Sequence, residues 1–215
     1  MSGSSRGGAG SRSIKRFPLY LRVLREMDAE GEQYASGAVV AKKLAFDPIV
    51  VRKDFAKTGA AGRPRLGFPL KELIDSIERF SGWQSQTKAV LVGAGRLGSA
   101  LLGYPGFKEQ GFKIVAAFDL TANRGQRIAG VPVYPSSQIS RRVKELGVSL
   151  GILTVPESCA QEITDAMIAG GIKGVWNFTP VRLKVPEHVV VKREDLAASL
   201  AVLFYRLNKD EDPLK

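Results

Sequence analysis

Residues 88–98 place the tightest constraint on what this chain can fold into. Lys88-Ala89-Val90-Leu91-Val92 is a short apolar run of strand-forming residues that leads directly into Gly93-Ala94-Gly95-Arg96-Leu97-Gly98. A run that apolar suits a strand covered on both faces, which in practice means a parallel sheet flanked by helices. The three glycines serve different needs: a tight turn, close approach of the backbone to a pyrophosphate, and close packing of the following helix on the strand. That helix offers its free N–H groups and the positive end of its dipole to phosphate. A second strand, Lys113 to Phe118, ends at Asp119, about 20 residues on, where a carboxylate accepts hydrogen bonds from ribose hydroxyls and repels a 2′-phosphate. Leu120 and Thr121 follow it rather than an arginine, so NAD(H) is expected over NADP(H), with Arg124 keeping NADPH as a minor alternative.

Two further runs end where such sheets hold ligands, at the carboxyl edge. Leu150-Gly151-Ile152-Leu153 passes into Thr154, Val155 and Pro156, and Gly174-Val175-Trp176 passes into Asn177, Phe178 and Thr179. These groups are expected to line a nicotinamide pocket, although Thr154 and Asn177 suit equally well a role as caps of the segments that follow. An oxidoreductase would also need a positioned acid–base group. The chain has one histidine, His188 beside Pro186, and one cysteine, Cys159 at a helix start. A cofactor site with so little apparatus around it points to a dinucleotide that is sensed. A small NAD-dependent oxidoreductase is the rival reading.

The sheet pattern starts only at Lys88. Upstream, Ser13 to Phe80 is helix-rich, and Ser81 to Thr87 reads as a linker, so the 215 residues divide into two unlike domains. Charge divides the same way. Residues 1–71 carry 14 Lys and Arg against six Asp and Glu, whereas residues 72–215 carry 18 against 15. Between Lys42 and Arg65, seven basic residues face only Asp47 and Asp54. With a net charge of +11, a polyanion is the expected partner and should meet the N-terminal domain first. No apolar run approaches the ~20 residues of a membrane span, and the first twelve residues have no apolar core of a secretion signal; a cytoplasmic protein is expected.

Within the N-terminal domain, Phe17, Leu21, Leu24 and Met27 form one helical stripe, with the regular helix expected to start near Pro18. Ser36 is expected to cap a second helix carrying Val39, Val40 and Leu44. Asp47 followed by Pro48 marks the start of a third, which runs to about Lys57 and ends at Gly59. The third helix buries Val51 and Phe55 and turns Arg52, Lys53 and Lys57 outward. Two short helices joined by about three residues, the second basic, match a helix-turn-helix, and the glycine-bracketed loop carrying Arg63 and Arg65 matches a wing. Taken alone, the basic face would equally suit a solvated helix. Leu70, Leu73, Ile74 and Ile77 mark a fourth, packing helix.

These residues together resemble the Rex family of bacterial redox-sensing repressors, over nearly the whole chain from Ile14 to Leu207. The most specific pieces are Lys15-Arg16-Phe17-Pro18-Leu19-Tyr20-Leu21-Arg22, Val51-Arg52-Lys53-Asp54, the stretch from Gly93 to Tyr104-Pro105-Gly106-Phe107, Leu153-Thr154-Val155-Pro156, and Gly171 through Pro180. The residues read as an α/β protein laid out as a flexible tail (1–12), a winged helix (13–86) and a Rossmann NAD(H) domain (87–193), and the resemblance adds a C-terminal dimerisation helix and tail (194–215). It implies a homodimer, with the C-terminal helix crossing into the partner, that binds operator DNA and releases it on binding NADH. The apolar stripe Leu196, Leu200, Leu203 and Leu207 fits that helix and equally an intrachain core helix. The resemblance further implies a switch in which Asp195 pairs with Arg22 in the DNA-competent state and with Tyr104, beside the cofactor, when NADH is bound. The departures sit in the DNA reader: Ala56-Lys57-Thr58-Gly59 replaces the usual Ser-Tyr-Phe-Gly, and Pro64-Arg65-Leu66-Gly67-Phe68 replaces Arg-Gly-Val-Gly-Tyr. A paralogue with altered or lost DNA specificity is therefore a further alternative.

Overall fold

Helix α1 (Gly7–Ala29) carries the apolar stripe, and Phe17, Tyr20, Leu21, Leu24 and Met27 are all fully buried. The computed structural model describes residues 7–82, 87–109 and 111–210. Two sequence expectations change here. The helix does not begin near Pro18 but eleven residues earlier, and residues 7–12, expected in the flexible tail, are helical; residues 1–6 lie outside the described residues. An interior proline costs a helix roughly 3 kcal/mol. Burial of the stripe on one side of Pro18, and the anchoring of Ser13 and Arg16 described below, outweigh that cost.

Contacts divide the chain into two units, residues 1–86 and 87–215. In the first, α1 is followed by β1 (Tyr34–Ala35), α2 (Gly37–Leu44), α3 (Pro48–Lys57), β2 (Phe68–Pro69) and α4 (Leu70–Ser81). The Ser36 hydroxyl caps α2 by accepting from the Val39 amide at 3.1 Å, and the Asp47 carboxylate caps α3 by accepting from Ile49 at 2.6 Å. Ala45, in the left-handed region at φ 53°, turns the chain between them. The core of this unit joins the α1 stripe to Val40, Val51, Phe55, Leu70, Leu73 and Ile77, with Phe55 edge-on to both Tyr20 and Phe68. β1 and β2 pair antiparallel and tie the base of the wing to the body.

The second unit is a seven-stranded sheet. Its elements are β3 (Thr87–Val92), α5 (Arg96–Leu102), α6 (Pro105–Glu109), β4 (Phe112–Asp119), the hairpin β5 (Arg127–Ile128) and β6 (Val131–Pro135), α7 (Ile139–Leu146), β7 (Leu150–Leu153), α8 (Ala160–Ala169), β8 (Gly174–Asn177), β9 (Val190–Arg193) and α9 (Leu196–Asp210). The strand order is β5-β6-β4-β3-β7-β8-β9, parallel throughout except for β5. From β3 the chain builds outward through β4 and β6, then returns to the other side of β3 with β7. That reversal opens a crevice at the carboxyl ends of β3 and β7, the position where open α/β sheets bind ligands.

Candidate functional site

The glycines of the β3–α5 turn do what their positions require. Gly93 sits at φ 98° with its amide bonded to the Phe118 carbonyl at 2.8 Å, and a Cβ there would lie 2.7 Å from the Thr154 carbonyl carbon. A Cβ on Gly98 would collide with the Gly93 carbonyl oxygen. These two glycines let β3, β7 and α5 close on one another. Gly95 differs: no atom stands within 4 Å of where its Cβ would be, so the loop is open there for backbone approach by a phosphate. Arg96 and Leu97 are exposed beside it.

Asp119 ends β4 with both carboxylate oxygens engaged. Oδ2 accepts from the Ala94 amide of the glycine loop at 2.8 Å, and Oδ1 accepts from the Thr121 amide and hydroxyl at 3.0 and 2.8 Å. Partial burial pushes its pKa up. The bonds from Thr121 and Ala94 more than reverse that, holding the carboxyl below the ordinary carboxylate range. A carboxylate has about four acceptor positions. Three are filled, so Asp119 braces the loop and retains room for about one ribose hydroxyl; taking both would displace Thr121 or Ala94.

The polar groups expected around a nicotinamide are largely committed to the backbone. The Thr154 hydroxyl donates to the Gly93 carbonyl at 2.7 Å and also lies 3.1 Å from that of Val92. Asn177 is buried, accepts from the Thr179 amide and donates to the Val181 carbonyl; the buried Thr179 hydroxyl accepts from the Val181 amide. They shape the loops that present Val155, Pro156 and Phe178 at the crevice, the capping role that the sequence left open for Thr154 and Asn177. Tyr104 is 56% exposed and lies over Gly106, where a Cβ would strike its ring at 2.6 Å. Cys159 is half-buried with its thiol on the Pro156 carbonyl, and His188 is exposed on a turn. Among the described residues no cluster of metal-ligating side chains occurs.

The basic face of the first unit is organised by a residue the sequence reading did not single out. Asp54 of α3 is buried and accepts from Ser13 Oγ at 2.7 Å, Arg16 Nε at 2.7 Å and Tyr20 Oη at 2.9 Å, all on α1. Burial pushes the Asp54 pKa up, but the Arg16, Ser13 and Tyr20 bonds bring it below the usual range; burial and Asp54 together push the Tyr20 phenol up to about 12. Lys57, expected to face outward with its neighbours, turns its ammonium onto Ser13 at 2.6 Å and Asp54 at 3.4 Å. Arg52 and Lys53 remain exposed. The Arg52 stem crosses Gly37 so closely that a Cβ there would lie 2.6 Å away. In the wing, Arg63 pairs with Gly67 across a tight turn and donates to the Tyr34 hydroxyl at 3.0 Å, while Arg65 occupies the tip at φ 63°.

Asp54→Asn should lower the stability of the first unit by roughly 2–4 kcal/mol at neutral pH, the scale of severing a buried ion pair whose partner Arg16 is a quarter exposed. Because the folded pKa of Asp54 is depressed, its contribution is complete above the unfolded carboxyl pKa of about 4 and is lost as pH falls through the folded value. Calorimetric melts should therefore show the gap between parent and variant narrowing below about pH 4. A gap that stays constant to pH 2 would show that charge on Asp54 contributes nothing.

Asp195 precedes α9. Its Oδ2 meets Arg193 Nη2 at 2.7 Å and its Oδ1 accepts from the Ala198 amide at 2.9 Å, so it caps the helix. Arg22 is exposed on α1, in the other unit.

Residues 84–181 match the family described as CoA binding domain, and residues 11–56 match the putative DNA-binding protein N-terminus. The chain is 44% identical over 197 residues to the redox-sensing transcriptional repressor Rex of Treponema denticola, covering 91% of this chain and 94% of that protein. It is 42% identical to the Rex of Bacteroides fragilis, covering 93% and 91%. It is also similar to crystal structures of RSP, a Rex-family repressor. The TM-score is 0.83 at 29% identity against RSP with β-NAD+ and operator DNA, covering 98% of this chain and 95% of that one. Against RSP with β-NADH it is 0.76 at 29% identity, covering 94% and 95%. Similarity at this level, running through both the basic helical unit and the dinucleotide crevice, means that the chain belongs to the Rex family of redox-sensing transcriptional repressors.

Proposed function

We propose that this protein is a homodimeric cytoplasmic repressor that holds operator DNA and lets it go when NADH fills the crevice of the second unit. One observation carries the reading: a single chain joins a capped helix-turn-helix with a basic wing to a glycine cradle braced by Asp119. The RSP complexes with β-NAD+ and operator DNA and with β-NADH support it. Arg52 and Lys53 in the middle of α3 are the groups placed to reach base edges. Arg63 and Arg65 enter a minor groove from the wing, and Lys57 steadies α3 on α1 as well as approaching phosphate. The cradle holds the pyrophosphate at Gly95, Arg96 and Leu97, with Gly93 and Gly98 closing the strands and helix around it, and the adenosine ribose through Asp119. The reduced nicotinamide ring is neutral and the oxidised ring cationic, so a pocket bordered by Tyr104, Val155, Pro156 and Phe178 favours NADH. Arg22, Tyr104 and Asp195 form the switch between the two states.

The dimer rests on α9. In the single chain Leu196, Leu200, Leu203, Phe204 and Leu207 are each half or more exposed. An apolar face of that size on a soluble subunit marks a protein contact. A second copy of the chain is the occupant that the family resemblance implies, and no helix among the described residues is long and apolar enough to cross a membrane.

The test uses a duplex selected by this protein from a randomised library. Fluorescence anisotropy should show NADH dissociating the complex while equal NAD+ does not, with no NADH consumed. Asp119→Ala should weaken NADH binding by roughly 1–3 kcal/mol, the cost of an unpaired buried polar group, and raise the NADH needed for release in proportion. Steady turnover of NADH with a carbonyl compound, or indifference of the DNA complex to NADH, would refute the proposal.

A further inference from the structure

Trp176 has no part in the site as described, yet it stands between that site and α9. It lies on β8, with its ring centroid 4.8 Å from Phe178 and 5.9 Å from Phe107; Phe107 lies 5.0 Å edge-on to Tyr104. Four aromatic rings thus run unbroken from Tyr104 to Phe178. Trp176 alone among them carries a polar handle that reaches the chain entering α9. Its indole Nε1–H donates to Glu194 Oε1 at 3.0 Å.

Glu194 is fastened on three sides. Its amide donates to the Asn177 carbonyl at 2.8 Å, continuing the ladder past the end of β9, and its carboxylate lies 3.2 Å from Lys192 Nζ besides accepting from the indole. The next residue is Asp195, whose carboxylate caps α9. One residue therefore separates the aromatic chain from the cap. A half-buried indole N–H needs an acceptor, and a hydrogen bond to a carboxylate is stronger than one between neutral groups. Packed rings do not deform continuously; a displacement at one end shifts the next ring or leaves it in place.

We propose that Trp176 and Glu194 are positioning residues: through the Trp176–Glu194 hydrogen bond, occupancy of the pocket bordered by Tyr104 and Phe178 sets the placement of Asp195 and the start of α9. This rests on the NADH-responsive reading of the site above and adds the route by which the site is coupled to the dimer helix. The bond acts on coupling, not on the cofactor's own contacts.

Glu194→Ala removes the acceptor from a partly exposed position that should tolerate the change. Trp176→Phe removes the donor and keeps a ring in the stack. Glu194→Gln keeps an acceptor oxygen, and Lys192→Ala removes the neighbouring ion pair and the Lys192 bond to the Arg193 carbonyl while leaving the indole bond in place. Each full-length variant is titrated with NADH twice, calorimetrically without DNA and by anisotropy on the library-selected duplex. Coupling free energies between sites commonly correspond to 5–150-fold, so Glu194→Ala and Trp176→Phe should raise the NADH concentration for half-release about tenfold or more, with the calorimetric Kd moving less than about threefold. Glu194→Gln and Lys192→Ala should stay close to the parent in both. In a Trp83→Phe background, Glu194→Ala should also shift the emission of Trp176, reporting loss of its acceptor. If Glu194→Ala and Trp176→Phe release DNA at the parent midpoint, or if Kd and midpoint move together by the same factor, the coupling role is wrong and the pair is only structural. If the parent itself binds no NADH or keeps DNA regardless of it, the functional reading fails first, a result separate from any variant.

Discussion

Replacing Leu200 and Leu203 with Asp should give a folded protein that sediments as a monomer where the parent is expected to sediment as a dimer, and should weaken binding to a two-half-site operator by about 10²–10⁴. Both leucines are half exposed in the single chain, 50% and 51%, and both lie in the Leu196–Leu207 stripe. The sequence left that stripe open to two uses, an intrachain core or a contact with a second subunit. The exposure favours the second, since among the described residues none of the core clusters includes it. A substitution there disturbs none of the described core clusters, so the melting temperature of an already monomeric sample should barely change. Linking two DNA readers in one particle makes the second half-site encounter intramolecular, which is where the 10²–10⁴ arises. Sedimentation gives the oligomeric state, and anisotropy on duplexes with one and two half-sites gives the rest. Affinity for a single half-site should be unchanged. A double variant that still sediments as a dimer would remove α9 from the interface.

What the sequence made legible is what short-range chemistry dictates. The Ser36 and Asp47 caps, the proline at the start of α3 and the buried pair Val51 and Phe55 follow from spacing and cap chemistry within one or two turns, and they stand as expected. The same holds for β3 and its glycine turn, where the requirement for bare backbone is written directly as Gly93 and Gly98. The strand β9 escaped notice because it is a short edge strand with Lys192 and Arg193 exposed, a pattern that reads as loop. Asp54 escaped for a different reason. Its partners Ser13, Arg16 and Tyr20 are 34 to 41 residues away, and only the packing of α3 on α1 makes an acid in a basic helix a buried anchor. An acidic residue amid Arg52, Lys53 and Lys57, one position from the buried Phe55, was the available clue. Pro18 misled in the opposite direction, because the local rule against interior proline holds only until tertiary contacts on both sides of it outweigh the lost bond. Thr154 and Asn177 show the same limit at the crevice: their side chains suit a ligand and a loop equally, and only the fold reveals that the backbone takes them first.

Asp195→Asn should leave NADH binding within about threefold of the parent and yet leave the protein on its operator at NADH concentrations that release the parent. Moving a two-state equilibrium from 99:1 to 1:99 takes about 10⁴-fold difference in affinity between the states; two symmetric NADH sites would each supply about 100-fold. That differential has to be realised in contacts that exist in one state and not in the other. The Asp195 carboxylate is suited to this because it has several competing partners. It holds Arg193 at 2.7 Å and caps α9 through Ala198, and the family resemblance adds Arg22 and Tyr104 as alternatives. The Ala198 amide first and Arg193 next keep its pKa below the usual range, so the charge persists throughout neutral pH and the switch should not respond to pH between 6 and 8. Asn is the informative substitution, since it caps a helix about as well as Asp and so preserves the start of α9 while removing the charge. Asp195→Ala, which removes cap and charge together, is the comparison. If charge exchange is the switch, both variants uncouple NADH from DNA. If Asn releases operator like the parent while Ala does not, the contribution of Asp195 is the cap alone, and exchange between Arg22 and Tyr104 is not how this protein senses NADH.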